Sequence, residues 1–506
     1  MTREGDSRFA KGPGREGERG RFEIRFLFER ILSPHLKKFL SLQHDLEMWF
    51  VGRMKWFPKV GLWPVVFVAS FLLLDVPCIS SAASKPNVLF ILADDFRPDC
   101  IAALGNAQIK TPNLNQLAER GMSFTHAYTM GSMIGAVCTP SRTMILTGRS
   151  FFHAPGTNYA LWPKAMQAGG YETFHLGKKG NSFVPGMEAF ETCLYSGDLG
   201  ADEHHETASE KTADRVIEFL YTRKSPKPFF VYYAPPVPHD PRVAPKEFTD
   251  LYAPAKMSLP ARYEPVHPFN NGEMTVRDEM LAPHPRTPEI VQKHLADYYA
   301  CVSCLDHHIG RIIATLRDIN QLDNTIVIFT GDNGLSLGDH GLFGKQNLYE
   351  MGGMHVPLIF AGPNIPHGRT DAFIYLYDLF PTVCALTETA IPSQVEGKNQ
   401  KTVVLGQATK VRTKIFTLYK DVQRSVRDNR WKLICYPQIN YNQLFDLETD
   451  PNEMHNLWES PQYVDKGKEM IAMLKNAQKE FDDSCSLTVA TPQERVWSPT
   501  NSPKNR

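Results

Sequence analysis

The chain lacks an excess of either charge. Its 506 residues include 55 Lys and Arg against 55 Asp and Glu, so the formal net charge is +0 and the pI is about 7.3. Proteins that bind nucleic acids usually carry a basic balance or a basic stripe. The composition therefore gives no electrostatic reason to expect a nucleic acid partner, although a few lysines aimed at one anionic substrate would not show in the total.

The chain also lacks a cysteine framework. Its nine cysteines are scattered without the spacing of a disulfide-stabilised scaffold. Cys301 and Cys304 form a C-x-x-C pair, which could be a redox pair or half of a metal site. They lie within 290–316, where apolar residues recur at helical spacing, and cysteines one turn apart on a partly buried helix are more often packing residues.

A run long enough to cross a membrane is missing near the N-terminus. The apolar run 62–76, interrupted by one proline, is shorter than the roughly 20 residues that span a bilayer. Lysines precede this run, and Ser80-Ser81-Ala82-Ala83 follows it, which is the layout of a secretory signal peptide. We therefore expect 54–83 to be a cleaved signal peptide, the protein to be secreted or periplasmic, and no stable membrane anchor.

What is present is the composition of a globular protein. Hydrophobic residues make up 42% of the chain and charged residues 22%, which is ordinary, and the length predicts one large domain with a smaller companion. Residues 1–53 are an exception, because they are basic and polar without a core-forming period. We expect them to be disordered or absent from the mature protein, with Met54 as the true start.

Two continuous apolar runs each end in a pair of polar side chains. The runs 86–92 and 325–330 have the length of strands buried on both faces, as in a parallel α/β sheet. Such sheets bind ligands at the carboxyl ends of their strands. The polar pairs offer only oxygen atoms, which suits a hard cation such as Ca²⁺ or Mg²⁺. The pairs are Asp94 with Asp95 and Asp332 with Asn333; for the first pair alone, a solvated loop is the alternative reading.

A third apolar run precedes a histidine. The run 228–234 predicts another buried strand, and His239 follows it after a proline-rich turn. On residue pattern alone, His239 could be an ordinary surface residue. Residues 240–289 are rich in Pro and His without strong periodicity, which predicts a long insertion over the site. Such an insertion would shape substrate choice.

One stretch carries most of the functional information. Cys138-Thr139-Pro140-Ser141-Arg142, continued by Leu146-Thr147-Gly148-Arg149, closely resembles the signature of the type I sulfatases. The helix start Thr111-Pro112-Asn113, the stretch 338–345 and the turn 444–453 are similar to text of the same family. The resemblance covers roughly residues 85–460.

The resemblance implies a fold and a domain order. The expected fold is α/β and alkaline-phosphatase-like, with a large mixed sheet flanked by helices and a smaller C-terminal antiparallel-sheet subdomain. We expect the catalytic domain to cover 85–385, the C-terminal subdomain 386–490, and a flexible tail 491–506.

The resemblance also implies a chemistry. In the family, a formylglycine-generating enzyme oxidises the cysteine that matches Cys138, and the hydrated aldehyde attacks the sulfur of a sulfate ester. The alcohol leaves, and the second hydroxyl of the diol then expels sulfate. The side chain made from Cys138 would also be a ligand of the cation held by Asp94, Asp95, Asp332 and Asn333. Arg142 would orient the aldehyde, Lys178 and Lys345 would stabilise the sulfate, and His239 with Lys345 would protonate the leaving oxygen.

Two positions depart from the family pattern. Sulfatases commonly have a histidine two residues after the lysine that corresponds to Lys178, and this chain has Gly180 there. Asn181, His175 or His340 could substitute, or the elimination step differs. His355 stands where the family more often has arginine.

The leading interpretation is a formylglycine sulfatase whose substrate is a sulfated carbohydrate. The alternatives are a phosphonate or phosphate ester hydrolase on the same fold, and a catalytically silent protein that binds sulfated glycans.

Overall fold

In a computed structural model of the protein, the described residues are 85–498 except 181 and 203. The predicted signal peptide 54–83, the segment 1–53 that precedes it, Asn181 and the last part of the predicted tail lie outside the described residues. Within the described part of the chain, no helix combines the length and the apolarity needed to cross a bilayer.

A nine-stranded mixed sheet forms the centre of the molecule. Its strands are β1 (Asn87–Ala93), β2 (Gly121–Tyr128), β4 (Glu172–Gly177), β5 (Thr192–Tyr195), β6 (Phe229–Ala234), β7 (Thr325–Gly331), β8 (His355–Ala361), β9 (Gly368–Thr370) and β10 (Ile374–Tyr375). Their order is β10-β2-β8-β7-β1-β6-β4-β5, with β9 also paired to β2. The central strand β1 is parallel to both neighbours, and β8 is antiparallel to β7 and β2.

A smaller sheet of five strands lies towards the C-terminus. Its strands are β3 (Gly131–Ser132), β11 (Ile415–Tyr419), β12 (Gln423–Arg427), β13 (Trp431–Tyr436) and β14 (Tyr441–Asp446), in the order β14-β13-β12-β11-β3. Strands β11 to β14 are antiparallel, whereas β3 adds in parallel to β11. Because β3 follows β2 after two residues, the chain passes from the large sheet directly into the small one.

Helices cover both faces of the large sheet. They are α1 (Pro112–Glu119), α2 (Cys138–Thr147), α3 (Trp162–Ala168), α4 (Val184–Met187), α5 (Ala208–Thr222), α6 (Lys246–Thr249), α7 (Pro288–Asp318), α8 (Leu379–Leu386), α9 (Lys401–Val404) and α10 (Val464–Glu480). Helices α1, α5 and α7 pack on one face, α2, α3 and α8 on the other, and α10 packs on the small sheet.

The central strand shows why the sheet has two cores. Its alternate side chains point to opposite faces, so Leu89 and Ile91 join the core beneath α7, while Val88 and Phe90 join the core beneath α2 and α3. Each buried aliphatic or aromatic side chain of this kind contributes about 1.5–3 kcal/mol of transfer free energy. Packing on both faces therefore fixes β1, and with it the position of the residues that follow its carboxyl end.

The three predicted strands and the long helix are confirmed. They correspond to β1, β6, β7 and α7, and the expected fold class is also confirmed. The boundary between catalytic domain and C-terminal subdomain near residue 386 stays a prediction. Between β6 and α7, the insertion 240–289 contains only the short helix α6 and two 3-10 turns.

Cys301 and Cys304 are residues of α7, and both are buried free cysteines. Cys301 Sγ donates to the carbonyl of Val243 at 3.3 Å. Among the described residues, neither cysteine joins a group that could hold a metal ion. The packing interpretation of the C-x-x-C pair is therefore the one that fits the structure.

Candidate active site

Four oxygen-bearing side chains meet at the carboxyl ends of two adjacent strands. We call Asp94, Asp95, Asp332 and Asn333 the strand-end cluster. The parallel register pairs Ala93 of β1 with Gly331 of β7, so the residues that follow each strand lie side by side. All four side chains are buried.

The backbone of Asp95 is held in an unusual conformation. Its φ of 63° lies in the left-handed region, which a non-glycine residue seldom adopts. Its N–H donates to Asp332 Oδ1 at 3.0 Å, and its carbonyl accepts from the Tyr298 hydroxyl at 2.7 Å. These bonds fix the turn after β1, and thereby the directions of both carboxylates.

Cys138 is the first residue of α2 and points into the strand-end cluster. Its Sγ lies 3.2 Å from Asp94 Oδ1 and 3.5 Å from Asp95 Oδ1. Burial, followed by the nearby Asp332 and Asp94 carboxylates, raises the pKa of the Cys138 thiol well above its usual value. An unmodified thiol at this position is therefore poorly suited to act as a thiolate nucleophile.

Three cations surround the same point. Lys345 Nζ donates to both oxygens of Asp95 at 2.6 and 2.9 Å and lies 3.3 Å from Cys138 Sγ. Lys178 Nζ lies 3.2 Å from Asp94 Oδ2. Arg142 Nε donates to Asp332 Oδ2 at 2.9 Å. Three buried carboxylates thus face three positive charges, which offsets the desolvation that each charge suffers.

The carboxylates of the strand-end cluster differ in acidity. Burial alone would raise the pKa of Asp94, but Lys178 and Arg142 bring it well below the usual range. Burial would likewise raise the pKa of Asp95, and Lys345 lowers it. Burial, together with the neighbouring Asp94 charge, raises the pKa of Asp332 to about 6. Asp332 is therefore the carboxylate of the three that the neighbouring cations stabilise least in its ionised form.

The strand-end cluster fits a hard cation. Ligand atoms of Asp94, Asp95, Cys138 and Asp332 all lie within 4.8 Å of one another. Asn333 Nδ2 donates to Asp95 Oδ1 at 2.8 Å, whereas the buried Asn333 Oδ1 has no hydrogen-bond partner. An unpaired buried oxygen costs roughly 1–3 kcal/mol, and coordination of a cation would satisfy it.

His239 lies beside the strand-end cluster with a defined tautomer. Its Nδ1 donates to the carbonyl of Asp240 at 2.6 Å, since a carbonyl can only accept. Its Nε2 lies 3.8 Å from Asp95 Oδ2. The predicted catalytic residues Cys138, Arg142, Lys178, His239 and Lys345 are thus brought together around one point.

Two candidates for the missing histidine, His175 and His340, are held by contacts outside the strand-end cluster. His175 is buried against Phe190 and Tyr232, and burial lowers its pKa to about 3. His340 stacks on Tyr349 with ring centroids 3.9 Å apart. Among the described hydrogen bonds and ion pairs, none joins either ring to the strand-end cluster. A Cβ at Gly180 would meet no atom within 4 Å, so this position is open space.

His355 is part of a different buried network. Its Nε2 lies 2.8 Å from the carbonyl of Thr125, and its ring stacks on Tyr128. Its Nδ1 lies 3.1 Å from the carbonyl of Glu350. The second departure from the family pattern therefore lies at the start of β8, against β2 and Glu350.

Sequence reasoning missed several residues that support the site. Ser182 accepts from Arg142 Nη1 at 2.9 Å and donates to the carbonyl of Lys178 at 2.7 Å. Asp278 and Gln346 lie behind Lys345 and hydrogen-bond to each other at 2.7 Å. A single serine or glutamine in a loop carries no periodic or compositional signal, so nothing in the sequence marked them.

Comparison with known proteins identifies the family. The family model described as Sulfatase matches residues 86–389, and the model described as N-sulphoglucosamine sulphohydrolase, C-terminal, matches residues 338–480. N-acetylglucosamine-6-O-sulfatase of Bacteroides thetaiotaomicron is 28% identical, covering 82% of this chain and 92% of that protein. An arylsulfatase of Clostridium perfringens is 26% identical, covering 81% and 98%.

Solved structures share the fold. A protein solved in complex with its substrate D-glucosamine-2-N,6-O-disulfate has a TM-score of 0.66 and 24% identity, covering 79% of this chain and 99% of that one. A phosphonate monoester hydrolase from Silicibacter pomeroyi has a TM-score of 0.66 and 22% identity, covering 82% and 99%. The Sulfatase model spans more than half of the chain, and the protein therefore belongs to the sulfatase family of the alkaline-phosphatase-like superfamily and is a sulfuric ester hydrolase.

Proposed function

We propose that the protein hydrolyses sulfate esters of carbohydrates through a formylglycine made from Cys138. The observation that carries this proposal is the position of Cys138 Sγ, 3.2 Å from Asp94 Oδ1 and 3.3 Å from Lys345 Nζ. The raised pKa of the thiol argues against Cys138 acting as it stands. Oxidation to formylglycine supplies a hydrated aldehyde, one hydroxyl of which is the nucleophile towards sulfur.

The metal ligands in this proposal are the strand-end cluster and the side chain made from Cys138. Ca²⁺ fits their all-oxygen chemistry, and Mg²⁺ is the alternative. When bound, such an ion neutralises sulfate oxygens and favours the ionised form of the attacking hydroxyl. The unpartnered Asn333 Oδ1 supports the assignment.

The cations of the chain bind and orient the reacting groups. Lys178 and Lys345 hold the sulfate and stabilise the negative charge of the transition state, because both ammonium groups already converge on the carboxylates around residue 138. Arg142 lies one turn after Cys138 in α2, is tied to Asp332, and orients residue 138. Removal of one such donor typically costs about 10²–10³-fold in rate.

In this proposal, His239 and Lys345 donate the proton to the leaving alcohol oxygen. Nδ1 of His239 is committed to the Asp240 carbonyl, so Nε2 is the ring atom that can serve the substrate. Lys345 Nζ contacts both Asp95 Oδ1, at 2.6 Å, and Cys138 Sγ, at 3.3 Å, and so lies next to the reacting group. A positioned general acid contributes about 10²–10⁴-fold, and most for alcohols that leave poorly as anions.

We further propose export and maturation by a formylglycine-generating enzyme. The predicted signal peptide 54–83 supports export to the periplasm or the exterior. The motif that starts at Cys138 supports recognition by the maturation enzyme.

The substrate class is tested by comparing rates. Amino sugars with a 6-O-sulfate are the first to try, since a relative named N-acetylglucosamine-6-O-sulfatase aligns with most of the chain. We expect turnover of sulfated sugars and aryl sulfates to exceed that of aryl phosphate and phosphonate esters. A phosphonate rate higher by orders of magnitude would favour the second candidate, a phosphonate hydrolase, whose solved structure shares the fold. Binding of sulfated glycans without turnover would favour the silent alternative.

A further inference from the structure

Three consecutive residues of the insertion 240–289 touch both loops that carry the proposed general acids. The first is Arg277, which ion-pairs with Asp240, the residue after His239. Its Nη1 donates to Asp240 Oδ1 at 2.9 Å, and its Nη2 donates to the other carboxylate oxygen. The backbone carbonyl of the same Asp240 accepts from His239 Nδ1. Arg277 can therefore influence the position of the His239 imidazole through Asp240.

The next residue, Asp278, reaches the lysine loop. Its Oδ2 accepts from Gln346 Nε2 at 2.7 Å, and Gln346 directly follows Lys345. The same Nε2 lies 2.9 Å from the carbonyl of Gly135, in the loop that leads into Cys138. Asp278 also accepts from Arg277 Nη1 at 2.9 Å, which joins the two sets of contacts.

Glu279 holds the backbone just before Lys345. Its carboxylate accepts from the N–H groups of Phe343 and Gly344 at 2.8 to 3.1 Å. The buried Arg286 donates to the same carboxylate at 2.9 Å. A buried carboxylate with this many charge-assisted bonds is a rigid anchor.

We propose that Arg277, Asp278 and Glu279 are positioning residues that fix the His239 ring relative to the Lys345 ammonium. The proposal rests on the proposed function, in which these two groups protonate the leaving alcohol. The three residues act through Asp240, Gln346 and the backbone of 343–344, and none of them needs to touch the substrate.

Arg277 is the most exposed of the three residues, so its truncation disturbs the core least. Its side chain is 59% exposed, but that of its partner Asp240 is only 8% exposed, so Arg277→Ala also leaves a mostly buried carboxylate without this ion pair. A small displacement of a catalytic group can reduce the rate about 10²-fold. We therefore expect Arg277→Ala to fold and to be selectively impaired in catalysis.

The test uses the dependence of rate on the leaving group. We compare Arg277→Ala with the unchanged, matured protein on glucosamine 6-sulfate, whose alcohol needs a proton, and on 4-nitrophenyl sulfate, whose phenolate leaves readily. The expected result is a loss of kcat of about tenfold or more on the sugar and less than about threefold on the aryl ester. Arg277→Lys is expected to restore part of the sugar rate.

Arg430→Ala is the matched control. Arg430 is 51% exposed and ion-pairs with Asp446 at 2.8 Å; it is far from Cys138 in the chain and lies in the turn between β12 and β13. We expect this variant to retain both activities. An equal loss on both substrates, or no loss, in Arg277→Ala would overturn the positioning role. If Arg277→Ala proves too unstable to purify, Arg277→Lys and Arg277→Gln are compared by the same two-substrate ratio and the same criterion.

A second variant separates this proposal from the one it rests on. His239→Gln should show the same selective loss on the sugar. If it does and Arg277→Ala does not, only the positioning role fails. If His239→Gln loses both activities equally, the role of His239 as proton donor fails.

Discussion

At the scale of single residues, Cys138 differs from the cysteines of thiol-dependent enzymes. A cysteine at the first turn of a helix usually has a lowered thiol pKa. Here burial, Asp332 and Asp94 raise it instead. The carboxylates that disfavour a thiolate at Cys138 are the same ones that could bind a divalent cation. An oxygen-bearing side chain at position 138, as we propose, would suit such a cation better than a thiol.

Replacement of Lys345 tests the residue-scale assignment of charge. We expect Lys345→Ala to lower kcat/KM on 4-nitrophenyl sulfate by about 10²-fold or more, because the sulfate contact proposed for Lys345 would be lost; its proposed proton donation matters little for an ester whose phenolate leaves readily. The control is Lys420→Ala, since Lys420 Nζ forms a comparable 2.7 Å bond to Glu273. Steady-state rates on 4-nitrophenyl sulfate check the prediction. Equal activity of the two variants would contradict it.

Asn333 offers a test of the metal site that does not depend on turnover. We expect Asn333→Ala to weaken Ca²⁺ binding about tenfold or more, as loss of a ligand oxygen should. The matched control is Asn347→Ala, which removes another buried amide whose Oδ1 also has no hydrogen-bond partner. Calorimetric titration of Ca²⁺ into chelator-treated protein measures both. Unchanged affinity in Asn333→Ala would exclude its Oδ1 as a ligand.

At the scale of elements, the path from β2 through β3 to α2 sets the position of Cys138. Gly131 of β3 has a φ of 146°, and a Cβ added there would lie 1.9 Å from the carbonyl oxygen of Leu418 on β11. The pairing of β3 with β11 therefore needs a residue without a side chain at position 131. The loop from β3 to α2 is anchored at one end by this pairing and at the other by the first turn of the helix.

Substitution of Gly131 should therefore affect both stability and activity. We expect Gly131→Ala to lower the free energy of unfolding by about 1–3 kcal/mol and to reduce the rate as α2 shifts. Gly135→Ala in the same loop is the control, because its Cβ would meet no atom within 4 Å. Urea denaturation and sulfatase rates measure the two effects. Equal behaviour of the two variants would contradict the anchoring role of β3.

The element scale also shows what the sequence could predict. The runs 86–92 and 325–330 reveal buried strands because both faces of each strand are covered, and the parallel register then brings their polar ends together. The insertion 240–289 has no hydrophobic period, so the contacts of Arg277 with Asp240 could not be read from it. Long-range hydrogen bonds between irregular loops leave no local pattern.

At the scale of the whole molecule, buried histidines make stability depend on pH. Burial lowers the pKa of His175 to about 3, of His267 to about 4 and of His340 to about 3. The unfolded chain would take up protons near pH 6.5, whereas the folded chain resists until much lower pH. The stability present above about pH 6.5 is therefore lost as the pH falls towards 4.

This dependence can be measured by urea denaturation between pH 7.5 and about 4.5. We expect the midpoint to fall with pH, and to fall less steeply in His175→Leu, which removes one of the proton-binding groups of the unfolded state. A variant with the same slope as the unchanged protein would show that His175 does not contribute.

The most direct test of the central claim is the mass of the tryptic peptide from Gly121 to Arg142, which contains Cys138. The protein should come from its native host or from a host that co-expresses the maturation enzyme. We predict loss of the cysteine sulfur and gain of an aldehyde in this peptide, together with turnover of sulfate esters. An unmodified Cys138 in protein that still turns over sulfate esters would contradict the formylglycine mechanism.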